Sequence, residues 1–144
     1  MKTTSDIWRP IAYVALQDTI TRTRVVSTLE RAGWMVFPQP TGFHVLSAIA
    51  DVIDDRAWLR PGLIVIDAYA RGCAGTTIAA GLRDLGIAIP IVLIAAPSEA
   101  LPLSSDDMVR ITESASAETV VDELARKPWM IEPRGRPPGN AMAS

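Results

Sequence analysis

Apolar residues along this chain fall into two spacings. Continuous, β-branched-rich runs at Ile11 to Leu16, Leu63 to Asp67 and Ile91 to Ala96 each stop at a polar or proline-containing loop. Runs of that length and uniformity predict strands buried on both faces, as in a parallel sheet. Between them the spacing changes to three and four. Thr19 to Ala32 carries Ile20, Val25, Val26, Leu29 and Ala32 before Gly33; Thr41 to Asp55 carries Val45, Leu46, Ile49, Ala50 and Ile53; Gly75 to Leu85 carries Ile78, Ala79, Leu82 and Leu85 before Gly86. These predict helices, two of them closed by a glycine stop. Trp34 to Phe37 is a weaker strand, cut short by Pro38 and Pro40 as suits an edge. Met108 to Ile111 is a second weak strand. Ala117 to Lys127 predicts a last helix, with Ser116 at its N-cap and Pro128 as its stop. Strands alternating with helices imply βαβ units in an α/β doubly wound sheet of five parallel strands.

One stretch breaks the alternation. Pro97 to Asp107 holds Pro97, Pro102, Ser104, Ser105, Asp106 and Asp107, a turn-forming composition that allows at most a short helical turn. A missing helix there would uncover apolar sheet surface, the kind that marks a partner or dimer contact. From Glu132 to Ser144 proline and glycine leave nothing to bury, which predicts a disordered tail behind a domain spanning 1–131.

Composition narrows the classes. The chain has 144 residues, 49% of them hydrophobic, enough for one domain with a sizeable core. A net charge of -2 with scattered Lys and Arg gives no nucleic-acid footprint. The longest apolar stretch, Ile87 to Ala96, contains Pro90 and cannot span a bilayer, and the first ten residues lack the apolar centre of a signal peptide. A lone cysteine, Cys73, forms no intramolecular disulfide and suits a reducing compartment, so the expectation is a cytoplasmic protein.

The residue that stands out chemically is Asp67. It ends a buried strand, where open α/β sheets place their chemistry. Its simplest role is structural, accepting backbone N–H bonds from the loop that follows it. Cys73, in that loop, reads as an unreactive thiol. His44 stands alone with no metal-ligand spacing around it. The tryptophans read as packing residues, with Trp129 beside the tail a possible anchor. No phosphate loop, nucleophile elbow or zinc motif is present, which argues against an enzyme.

Four stretches carry a resemblance: Val14 to Asp18 before a helix that holds Arg22 and ends Leu29 to Trp34; Leu63 to Asp67, with Gly75 eight residues on; Leu82 to Gly86 leading into Ile89 to Ile94; and Ala96 just past that strand. In order and spacing they resemble the receiver domain of bacterial two-component response regulators, a flavodoxin-like fold. The resemblance implies strand order 2-1-3-4-5, with the fourth helix short or missing. It also implies a set of site positions. Asp67 matches the phosphoacceptor. The acidic pair that helps hold Mg²⁺ falls on Leu16 and Gln17, with Asp18 one place beyond. The hydroxyl switch position falls on Ala95. The lysine position falls either on Lys127, in a Lys-Pro-aromatic sequence, or at the end of a strand at Met108 to Ile111, on Ile111 or Thr112.

A scaffold that keeps this pattern while losing the acidic pair and the hydroxyl implies a stand-alone, degenerate pseudo-receiver. Its expected role is a phosphorylation-independent protein–protein interaction module in bacterial signalling, with no cofactor. The expected interaction face includes Met108, Val109, Val120 and Leu124; the partner would be a signalling protein or a second copy. The alternative is a phosphorylation-competent single-domain response regulator in a phosphorelay, in which Asp18 and Asp67 hold Mg²⁺. A third possibility is a small-molecule binder using the crevice at the carboxyl ends of the first and third strands.

Overall fold

A computed structural model describes residues 9–52, 60–100 and 108–126. In chain order these form β1 (Ile11–Ala15), α1 (Thr19–Arg31), β2 (Met35–Pro38), α2 (Gly42–Val52), β3 (Leu63–Asp67), α3 (Gly75–Asp84), β4 (Ile91–Ala95), β5 (Val109–Glu113), a 3₁₀ turn at Ser114–Ser116, and α4 (Ala117–Ala125). The five strands are parallel and lie in the order β2-β1-β3-β4-β5. The doubly wound, flavodoxin-like architecture expected from the sequence is the one observed.

The uniform apolar runs split by parity. Ala12, Val14, Leu63, Val65, Val92 and Ile94 point to one face, where Val25 and Leu29 of α1 and Val121 and Leu124 of α4 cover them. Ile11, Tyr13, Ile64, Ile66, Ile91 and Leu93 point to the other, under Val45 and Ile49 of α2 and Ile78 and Leu82 of α3. Strand side chains alternate faces with period two, so a run apolar at every position can only be satisfied by a sheet covered twice.

Trp34 is fully buried, and its indole Nε1 donates to the Ala125 carbonyl at 3.1 Å. It lies outside β2 and ties the entry to that strand to the end of α4. β2 itself starts one residue later than the sequence implied and includes Pro38, paired with Val14. Met35 and Gln39 donate their N–H groups to Pro10 and Val14 of the β1 segment. Pro38, of opposite parity, therefore turns its missing N–H to the open edge, where it costs no ladder bond. β5 runs two residues past its expected end, and Ser116 caps α4 without a side-chain hydrogen bond, the 3₁₀ turn leading in instead. Among the described residues no helix lies between β4 and β5. The expected end of the second helix, Lys127 with its neighbours, and the tail lie outside the described residues.

The loop after β3 is pressed against the starts of α2 and α3. A Cβ on Gly75 would sit 2.6 Å from the Asp67 carbonyl and 2.8 Å from a Leu93 methyl. One on Gly42 would collide with the Cys73 carbonyl. Gly81, exposed on α3, meets nothing within 4 Å. Gly75→Ala is therefore expected to destabilise the fold by about 1–3 kcal/mol through forced backbone shifts. Gly81→Ala should stabilise it by up to about 1 kcal/mol through helix propensity. Urea unfolding of the two variants checks this; equal effects would contradict the packing described.

Candidate functional site

Three strand ends build the site. At β1 the chain leaves the sheet after Leu16, whose side chain is 4% exposed and belongs to the core. The next backbone N–H, of Gln17, donates to Asp67 Oδ2 at 2.8 Å. Asp67 thus accepts from the loop of the neighbouring strand, not from its own loop as the sequence suggested. Arg22 returns from α1 to donate to the Leu16 carbonyl at 3.1 Å.

Asp18 is the N-cap of α1. Its backbone is extended, with φ -71° and ψ 118°, and its Oδ2 accepts from Thr21 N–H at 2.8 Å and from Thr21 Oγ1 at 2.7 Å. These bonds hold its carboxyl below the ordinary aspartate range. The residue expected as an acidic-pocket remnant thus has one carboxylate oxygen engaged in ending a helix.

Asp67 is half-buried, and that desolvation pushes its carboxyl upward; the Gln17 N–H opposes the shift, while the charges of Glu99 and Asp18 add to it. Glu99 comes from the loop after β4. The switch position, Ala95, is fully buried. Just beyond it Ala96 N–H donates to Glu99 Oε1 at 2.8 Å, and Glu99 N–H donates back to the Ala96 carbonyl at 2.9 Å. Tyr69, two residues after Asp67, donates its hydroxyl to the Ala100 carbonyl at 2.9 Å and so joins the loops after β3 and β4.

At β5, Thr112 pairs with Ile94 and Glu113 with Ala95. Thr112 is buried and its Oγ1 donates to the Glu113 carbonyl at 3.1 Å. Ile111 packs against the opposite core. Lys127 follows α4, not β5, in the chain.

The expected interaction face is not one surface. Leu124 is 4% exposed and Val120 packs against the same core, under α1 and α4. Val109 packs against the core on the other side of the sheet, and with Met108 it lines a groove of about 430 Å³ between α3 and the amino ends of β4 and β5. Strand and helix periodicity send Val109 to one face of the sheet and Val120 and Leu124 to the other. That groove is at the far end of the strands from Asp67.

The receiver resemblance implies Mg²⁺, and the positions of its acidic pair, Leu16 and Gln17, offer no carboxylate for it. Leu16 is apolar and buried, one oxygen of Asp18 holds Thr21, and Oδ2 of Asp67 holds Gln17. Among the described residues no group of three His, Cys, Asp or Glu could hold a metal. Cys73 is a free thiol packed beside the α2–α3 core. His44 shares a 2.7 Å hydrogen bond between Nδ1 and Thr41 Oγ1 at the start of α2.

Glu99 and Tyr69 were not singled out from the sequence. Ala96-Pro97-Ser98-Glu99 does contain a helix-start signal, Pro followed two residues later by a carboxylate able to reach back to a free N–H. Tyr69 has no comparable signal, because its partner is thirty-one residues away.

No family model matches the chain, and no curated protein matches it. Solved structures do match, several of them receiver domains of response regulators. A two-component transcriptional regulator AraC from Clostridium phytofermentans superposes with a TM-score of 0.60 at 10% identity, over 85% of this chain and 95% of that one. The N-terminal domain of a response regulator/sensory box/GGDEF protein from Carboxydothermus hydrogenoformans gives 0.59 at 18%, over 81% and 93%. The signal receiver domain of the response regulator NarL from Mycobacterium tuberculosis gives 0.56 at 16%, over 80% and 91%. The protein has the CheY-like fold of these domains. At such identities the likeness establishes the fold and nothing finer. No helix among the described residues is long and apolar enough to cross a membrane.

Two carboxylates with opposite shifts predict opposite pH effects. The fold favours protonated Asp67, so its contribution is complete below the ordinary aspartate range and is lost as pH rises through its raised value. Asp67→Asn should therefore be more stable than the wild type at neutral pH, by less than about 1 kcal/mol given its solvent-screened face. That gap should close as pH falls into the ordinary aspartate range. Asp18→Ala should be less stable at neutral pH, and its deficit should shrink as pH falls through the lowered Asp18 value. Denaturant unfolding at a series of pH values reads both; slopes of the same sign would refute the site described.

Proposed function

We propose that the protein is a receiver-like signalling module that works by contact with another protein and without phosphotransfer. One observation carries this: Asp67 is held by the Gln17 N–H while the positions flanking it, Leu16 and Ala95, are buried and apolar. A phosphoryl group on Asp67 would find no hydroxyl at Ala95, and Leu16 and Gln17 supply no carboxylate for a neutralising cation. The same arrangement offers no nucleophile–base pair, so the proposed role is non-catalytic.

The contact surface that best supports this role is the carboxyl end of the sheet. Ile20 in the first turn of α1, Phe43 in the first turn of α2 and Tyr69 after β3 are 63%, 59% and 47% exposed. Large apolar side chains left in water around one end of a domain favour docking of a protein partner over a small polar ligand. The receiver likeness supports a regulatory or signalling partner in the cytoplasm.

The expected outcome of incubation with Mg²⁺ and acetyl phosphate is no gain in intact mass, in the wild type as in Asp67→Asn. Stoichiometric acyl phosphate in the wild type, absent from Asp67→Asn, would overturn the proposal in favour of a phosphorylation-competent response regulator.

A further inference from the structure

Resting on the phosphorylation-independent role, a second barrier to Asp67 chemistry can be located in the loop after β4. Ala96 N–H is the first backbone donor past that strand, and β4 is the neighbour of β3, with Asp67 paired to Ile94. This donor is filled from within the chain by Glu99 Oε1 at 2.8 Å. The turn is closed by the Glu99 N–H bond to the Ala96 carbonyl and tethered by the bond from Tyr69 to Ala100. The Glu99 charge lies near enough to Asp67 to act on its ionisation.

We propose that Glu99 is an intramolecular plug: its carboxylate takes the Ala96 N–H that opens at the end of β4, the strand next to Asp67, so that an oxyanion approaching Asp67 meets a donor already filled and a negative charge in its path. The contact is autoinhibitory, and it keeps the loop in one arrangement whatever anions surround the protein. A carboxylate accepting a backbone N–H forms a charge-assisted bond, stronger than a neutral one. A like charge at short range in a partly buried site is screened less than one in open water. Both effects act together here because one side chain supplies them.

Amide NMR with sulfate, a tetrahedral oxyanion that needs no Mg²⁺, tests the plug in the wild type, Glu99→Gln and Glu99→Ala. The Gln variant keeps an acceptor for Ala96 N–H but removes the charge, so it guards against loss of the turn in the Ala variant. The expected result is a wild type without saturable shifts, and saturable shifts at Ala96 and around Asp67 in Glu99→Ala at least about tenfold tighter than in the wild type. Carbon-detected titration should show the Asp67 carboxyl ionising at lower pH in both variants. If both variants stay folded and bind no tighter than the wild type, or if Asp67 titrates unchanged, Glu99 is not the barrier and the proposal is overturned. That outcome is separate from failure of the phosphorylation-independent role, which would show as acyl phosphate formed on wild-type Asp67.

Discussion

Everything in this protein follows from a parallel sheet that must be covered on both sides. β1, β3 and β4 are apolar at nearly every position because each strand faces two helical layers. No interior strand position can carry a charge without a partner, so polar chemistry is driven to the strand ends. Asp67 is where that constraint gives way, with its backbone still in the ladder and its carboxylate half in water.

What a carboxylate does there depends on its neighbours. Here each neighbour has a local commitment. Leu16 fills the core, Asp18 ends a helix, Ala95 seals the end of β4 and Glu99 closes a turn. Among the described residues the Asp67 carboxylate accepts from a backbone N–H, that of Gln17. Backbone donors hold a carboxylate in place without activating it. The end of the sheet is thereby stiffened, with Tyr69 binding the β3 and β4 loops together, while Ile20, Phe43 and Tyr69 remain in water. These exposed apolar groups are the ones that the proposed contact with a partner would use.

The two glycines after β2 and β3 serve the same rigidity. Gly42 and Gly75 let the loop following Asp67 lie against the starts of α2 and α3 with no room for a methyl group. The site is therefore held by backbone contacts, which tolerate wide variation in side chains elsewhere. That accords with a receiver-like superposition at 10–18% identity.

The amino-acid sequence by itself determined the strand runs, the helix stripes and the place of Asp67, because hydrophobic periodicity depends only on local spacing and on which faces are buried. The strand order was legible through the alternation of elements and the receiver-like spacing. It misjudged what depends on parity and distance. Pro38 is a member of β2 because its missing N–H faces outward, and Leu124 lies in the core while Val109 serves the opposite face. Only the tertiary structure brought Gln17 to Asp67, fifty residues away, and Tyr69 to Ala100. It also turned Asp18 to its own helix and set Glu99 beside Asp67. Hydrogen-bond partners of this kind are chosen by where strand ends meet in space, and residue identity alone does not encode which of several available donors will be nearest.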